Sequence, residues 1–274
     1  MNPFKPIAAV CALLQLIACS TEGPRMASPA PTAAIAVFAA GSLRQALTEI
    51  ADSYQARTGQ PLALTFGASG LLRERIEKGE QAQLFASADT EHPQRLAAAG
   101  QWQTPRALVQ NSLCALSTAH IRATPDTLLQ TLLRPDVRVG TSTPQSDPAG
   151  DYAWALFRKA EALQPGAYAL LDAKALKLTG AADSPRAPQG RGFYGWAMDT
   201  EQADVFLTYC TNALAAQKEV PRLQVLALPA ALQVGAPYAF TVLKTASPQA
   251  QAFADALLLP AARQVFARYG FAAP

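Results

Sequence analysis

The chain has 274 residues, half of them hydrophobic and 16% charged, with a formal net charge of +3. That composition gives enough apolar surface for one large or two smaller domains and excludes a disordered chain. It carries no basic run and no basic patch interleaved with aromatics, which excludes nucleic acid as a partner.

The first element in chain order precedes the folded body. Lys5 supplies a positive n-region and Ile7 to Ile17 an apolar h-region too short to span a bilayer, the pattern of a secretory signal. Leu16-Ile17-Ala18-Cys19 has the form of a bacterial lipobox, where a small residue precedes the cysteine that becomes lipidated. An ordinary signal cleaved elsewhere is the competing reading. Residues 1–18 are thus expected to be a lipoprotein signal peptide, Cys19 the lipidation site and residues 19–31 a tether, with the protein periplasmic and held at a membrane by its lipid anchor. Two cysteines then remain for the body, Cys114 and Cys210. They either pair in the oxidising compartment or stay apart as small hydrophobes, and geometry rather than spacing decides which.

From Ile35 onward short apolar strands alternate with amphipathic helices, which predicts an α/β fold with a largely parallel sheet. Ile35 to Phe38 reads as a strand and Leu43 to Arg57 as a helix, its face formed by Leu43, Ala46, Leu47, Ile50 and Tyr54 and its end set by Gly59. Leu62 to Phe66 repeats the strand, Leu71 to Lys78 the helix. Leu84 to Ala86 is a third strand and Pro93 to Ala99 a third helix. Strands follow at Leu113 to Leu116 and Val137 to Val139, then a helix from about Pro148, whose proline suits a first turn. Phe193 to Thr200 reads as helical, Val205 to Tyr209 and Tyr238 to Leu243 as strands. Ser247-Pro248 opens a terminal helical pair broken at Pro260.

Two of these strand-to-helix junctions, Ala40-Gly41-Ser42-Leu43 and Ala68-Ser69-Gly70-Leu71, carry a serine after small residues. A helix start offers unpaired N–H groups and the positive end of its dipole, so two such starts facing one point can hold an oxyanion. Serine is also the favoured N-cap, and Gln45 completes a capping box with Ser42, so each serine has a purely structural reading as well.

Six segments in register resemble the periplasmic molybdate-binding proteins of ABC importers. They are Val37 to Leu43, Phe66 to Leu72, Gln83 to Asp89, Asn111 to Leu113, Asp147 to Gly150 and Phe266 to Phe271. The resemblance implies a two-lobed type II periplasmic binding protein, a monomer with its ligand in the cleft and crossover strands as hinge. Lobe 1 would be residues 32–112 plus 238–274, and lobe 2 residues 113–237. It implies ligand contacts from the hydroxyls of Ser42 and Ser69, the Ala149 N–H, the Tyr209 hydroxyl and an N–H at a helix start near Arg191. The ligand would be molybdate or tungstate, with no cofactor, and the partners an ABC permease and its ATPase. Gly70 stands where many relatives carry a hydroxyl and Gln83 where an aspartate is usual. An inward Arg191 would widen the choice of anion, and an Asp147 facing the ligand would oppose any dianion.

No catalytic constellation is visible. His92 and His120 both read as surface residues near prolines, no zinc spacing links cysteines and histidines, and neither serine has a base partner in sequence. Tyr194, Trp196 and Phe193 read as core before pocket. The expectation is a non-enzyme: a solute receptor for an importer or, alternatively, a binding or sensory lipoprotein for another small anion.

Overall fold

The computed structural model describes Met1 and residues 33–274. The expected signal peptide, Cys19 and the tether lie outside the described residues. Among the described residues no helix is long and apolar enough to cross a membrane.

The strands are β1 (Ile35–Ala40), β2 (Leu62–Gly67), β3 (Leu84–Ser87), β4 (Arg106–Ser117), β5 (Val139–Ser142), β6 (Leu176–Thr179), β7 (Val205–Tyr209), β8 (Gln224–Ala227) and β9 (Gly235–Val242). Between them run α1 (Arg44–Thr58), α2 (Ser69–Glu77), α3 (Glu91–Ala98), α4 (Leu128–Leu133), α5 (Pro148–Leu163), α6 (Ala167–Lys174), α7 (Phe193–Asp199), α8 (Cys210–Glu219), α9 (Pro248–Ala256) and α10 (Pro260–Arg268).

The sheet order is β2-β1-β3-β9-β4-β7-β5-β6, with β8 also on β4. The expected parallel character holds at the outer strands: β1 is parallel to β2 and β3, and β5 to β6 and β7. The middle is antiparallel, which makes the sheet mixed rather than largely parallel. The reason is β4. Its first part, Arg106 to Ser112, pairs with β9, and its last part, Leu113 to Ser117, pairs with β7. One strand of 12 residues thus belongs to both halves of the sheet.

Helix positions follow the apolar spacing. On α1, Ala46, Leu47, Ile50, Ala51 and Tyr54 are buried, and Gly59 closes it at a φ of 72° that a side chain would resist. Ser247 caps α9 through the Ala250 N–H, with Pro248 in the first turn. A main core spans the sheet from Ile35 to Phe271, and smaller clusters form around Phe206 with Met198 and around Phe85 with Trp102. Cys114 in β4 and Cys210 at the start of α8 form a disulfide across this second half.

Candidate functional site

The carboxyl ends of β1, β2, β6 and β7 converge on one cleft of about 1330 Å³. Ser42, Ser69, Arg191 and Tyr209 all line it. Ala149 does not: it is fully buried behind Asp147, which does.

After β1 the chain passes through a short 3-10 turn, Gly41–Leu43, before α1 begins. Ser42 therefore sits one residue too early to cap α1, whose N-cap is Leu43, and no capping box with Gln45 forms. Its Oγ lies 2.8 Å from the Tyr238 hydroxyl instead. Tyr238, buried in β9, also accepts from Asn111 Nδ2 at 3.3 Å, and that amide is oriented by its Oδ1 taking the Ser112 N–H at 2.9 Å. Either oxygen can donate in the Ser42–Tyr238 bond; when the phenol donates, the Ser42 proton is left for the cleft.

Ser69 is the first residue of α2, after an Ala68 N-cap, and it too makes no cap bond. It is buried, and its Oγ accepts the Ala88 N–H at 3.1 Å. Its own proton is likewise free to donate. The next N–H, that of Gly70, is already bound to the Ser146 carbonyl at 2.9 Å. Only glycine fits there, since a Cβ would fall 2.5 Å from the Gln145 carbonyl oxygen.

At the turn from β5 to α5, Asp147 is the N-cap, and its carboxylate accepts the Ala149 N–H at 3.1 Å. The donor assigned to the ligand by resemblance is thus occupied by the chain's own side chain. Asp147 lies deep in the protein but partly open to the cleft. Burial pushes its pKa up to about 6, against the pull of the Ala149 N–H and the Ser142 hydroxyl. Tyr209 closes β7 with its ring edge-on to Tyr238, and its hydroxyl donates to the Ala88 carbonyl at 3.4 Å. Burial raises its pKa well above the ordinary value, so it stays a neutral donor.

Arg191 lines the cleft but offers it nothing. Its N–H goes to the Pro188 carbonyl at 3.1 Å, and its guanidinium reaches Glu219 at 2.7 Å and Asp199 at 2.9 Å. The start of α7 is filled by the Glu219 carboxylate, which takes the Gly192 N–H at 3.0 Å. The inward charged fork considered from sequence is absent because two acids in the same half of the sheet hold it. Phe193 and Tyr194 face both the cleft and the Phe206 core. Arg44 lies over the Phe66 ring at 4.6 Å, and no acid pairs with it among the described residues. Sequence reasoning missed Tyr238, Asn111, Arg44 and Glu219 as parts of the site. The motif at Asn111 was visible, but not the hydroxyl relay it orients.

His120 is a surface residue paired with Asp204 at 3.3 Å. His92, expected at the surface, is 5% exposed and packs beside Asp89 at 3.7 Å, with burial lowering its pKa. α3 packs against α2, β3 and β9, which buries its first turn, and proline spacing did not foretell that. Neither Ser42 nor Ser69 bonds a histidine or carboxylate among the described residues. The cleft presents neutral hydroxyls with the Asp147 carboxylate among them, and Arg44, Arg186, Lys218 and Glu219 also line it.

The family of bacterial extracellular solute-binding proteins matches residues 35–272. A protein of Pasteurella multocida, the uncharacterized protein PM1146, is 36% identical over 177 residues, covering 64% of this chain and 73% of that one. The molybdate-binding protein ModA of Mycobacterium tuberculosis is 29% identical over 270 residues, 94% of this chain and 93% of that one. Among solved structures, the periplasmic molybdate-binding protein of Azotobacter vinelandii superposes with a TM-score of 0.69 at 19% identity, covering 88% of this chain and 99% of that one, and so shares the fold. With its sheet halves joined by β4, its cleft at the strand ends and a match over nearly the whole described body, the chain belongs to the bacterial extracellular solute-binding protein family.

Proposed function

We propose that the protein captures a small oxyanion, molybdate with tungstate as its close analogue, outside the cytoplasm and delivers it to an ABC permease and ATPase. The observation that carries this reading is the pairing of Ser42 and Ser69 on one cleft, neither spent on a helix cap: Ser69 accepts the Ala88 N–H and keeps its own proton, and Ser42 keeps its proton when the Tyr238 phenol donates to it. Tyr209 lines the same cleft, its one proton turned to the Ala88 carbonyl and available to an anion only by leaving it. Neutral donors of this kind hold an anion without a lysine or arginine and select it by size and protonation. In this reading residues 32–112 with 238–274 form one lobe, residues 113–237 the other, and β4 and β9 the hinge. The chain acts as a monomer, anchored through Cys19.

A thermal-shift panel tests it. At a hundred times its dissociation constant a ligand adds about 2.7 kcal/mol to stability. Molybdate and tungstate should raise the melting temperature and sulfate far less. A shift with a carboxylate or phosphate ester and none with either metal oxyanion rejects the assignment. Cys19→Ala should release the protein from membranes without altering its fold, and a native protein already free in a periplasmic extract rejects the anchor.

A second reading is favoured by one observation: a cleft of about 1330 Å³ exceeds what a lone tetrahedral ion fills, and Arg44 stands unpaired at its edge. An organic carboxylate or phosphate would use both. Small carboxylates and phosphate esters in the same panel decide between them.

A further inference from the structure

We propose that the cleft takes up its anion together with one proton, held at Asp147. The inference rests on the oxyanion reading above. Asp147 occupies the Ala149 N–H and shares the cleft with the hydroxyls of Ser42, Ser69 and Tyr209. It is packed tightly from behind, where a Cβ on Gly180 would lie 2.6 Å from its own Cβ. The Gly70 N–H bonds the Ser146 carbonyl at 2.9 Å, which seats the Asp147 turn against the Ser69 helix start that would hold the anion.

No cation pairs with it among the described residues. The charged and titratable groups that face Asp147 are Asp151 on α5, Asp89 after β3, Tyr194 on α7, Tyr209 on β7 and Tyr238 on β9. His92 lies near Asp89 and Asp151, and burial lowers its pKa. The cations of the cleft are engaged elsewhere or unpaired: Arg191 with Asp199 and Glu219, Arg75 with Glu80, Arg44 on Phe66. Arg186 and Lys218 line the cleft without an ion pair to Asp147 among the described residues.

An ionised Asp147 would therefore set an uncompensated negative charge next to the ligand in a poorly solvated site. Protonation removes that repulsion and turns an acceptor into a donor toward the ligand. Burial already brings the group to about 6, so the proton is available near neutral pH. The balance is simple. Anion and one solvent proton enter, and the proton rests on Asp147 when the ligand is fully deprotonated or comes with the ligand when it carries its own hydroxyl.

The test is calorimetric titration of the intact chain with sodium molybdate in two buffers of unlike ionisation enthalpy, at pH 8 and at pH 5. The expected result is about one proton taken up per anion at pH 8 and close to none at pH 5. Affinity should rise by up to about tenfold per pH unit between pH 8 and pH 7. Asp147→Asn keeps an oxygen for the Ala149 N–H, so it should fold, lose the pH dependence and bind molybdate more tightly than the unaltered protein at pH 8. Molybdate binding with no proton uptake at pH 8 overturns this inference and leaves the oxyanion reading standing. No heat with molybdate, tungstate, sulfate or phosphate at either pH overturns both.

Discussion

Ser42→Ala isolates the donor role of one hydroxyl, because the structure removes its competing role as a helix cap. The Ser42 Oγ gives up one bond, to Tyr238 at 2.8 Å, and that neutral bond is worth about 0.5–1.5 kcal/mol of stability. Asn111 still donates to the Tyr238 oxygen but cannot accept its proton, so a buried phenol that had donated to Ser42 loses its acceptor, which places the loss at the upper end. Binding should suffer more. A hydrogen bond to a charged group contributes about 1.5–3 kcal/mol, so molybdate affinity should fall by about 10- to 150-fold. Isothermal titration of the variant and urea denaturation without ligand give the two numbers separately. An affinity within about threefold of the unaltered protein, together with the expected stability loss, would refute the claim that this proton faces the ligand.

Ser69→Ala should lower unliganded stability more than Ser42→Ala, by about 1–3 kcal/mol, because it strands the buried Ala88 N–H; urea denaturation of the two variants checks the order. Gly70→Ala places a Cβ 2.7 Å from the Ser146 carbonyl oxygen, a backbone atom with little room to yield, and should cut molybdate affinity at least about tenfold; titration showing normal affinity contradicts the close approach of α2 to the β5–α5 turn. Asp147→Asn should raise the stability of the unliganded protein at pH 8 by up to about 3 kcal/mol, since the native pKa is about two units above the unfolded value. The sign follows from the raised pKa: the contribution of Asp147 is fully present below the unfolded value near pH 4 and is lost as pH rises through 6, so the variant should gain little at pH 4.

The elements nearest the site were legible because their spacing is strong. The Ala46, Leu47, Ile50 and Tyr54 face gives α1 to within a residue at each end, and the apolar run Val205 to Tyr209 gives β7 without error. β6 and β8 went unseen. Leu176, Lys177, Gln224 and Ala227 are exposed, and each of these short edge strands mixes polar and apolar residues with too little burial to imprint a pattern. The extent of β4 was also hidden, since its first part pairs only with β9 and carries exposed Ala107 and Gln110. At the site, residue types in sequence locate the serines and Tyr209 but not who holds whose hydrogen bond. The contact of Asp147 with Ala149 is local and was readable as an N-cap. The capture of Arg191 by Glu219 joins residues far apart in sequence, and only the fold brings them together.

The change of partners along β4 has a consequence for redox behaviour. Cys114 lies just past the point where β9 gives way to β7, and its bond to Cys210 ties β4 to α8 on one side of that point only. In the proposed two-lobed arrangement both cysteines fall within residues 113–237, so the staple does not join one lobe to the other. A loop with a sequence separation of 96 residues is closed by it, worth about 2–4 kcal/mol through the denatured chain. Reducing agents should therefore lower the melting temperature while the affinity for anion stays where it was, and a thiol-rich environment would shorten the life of the protein before it dulled its function.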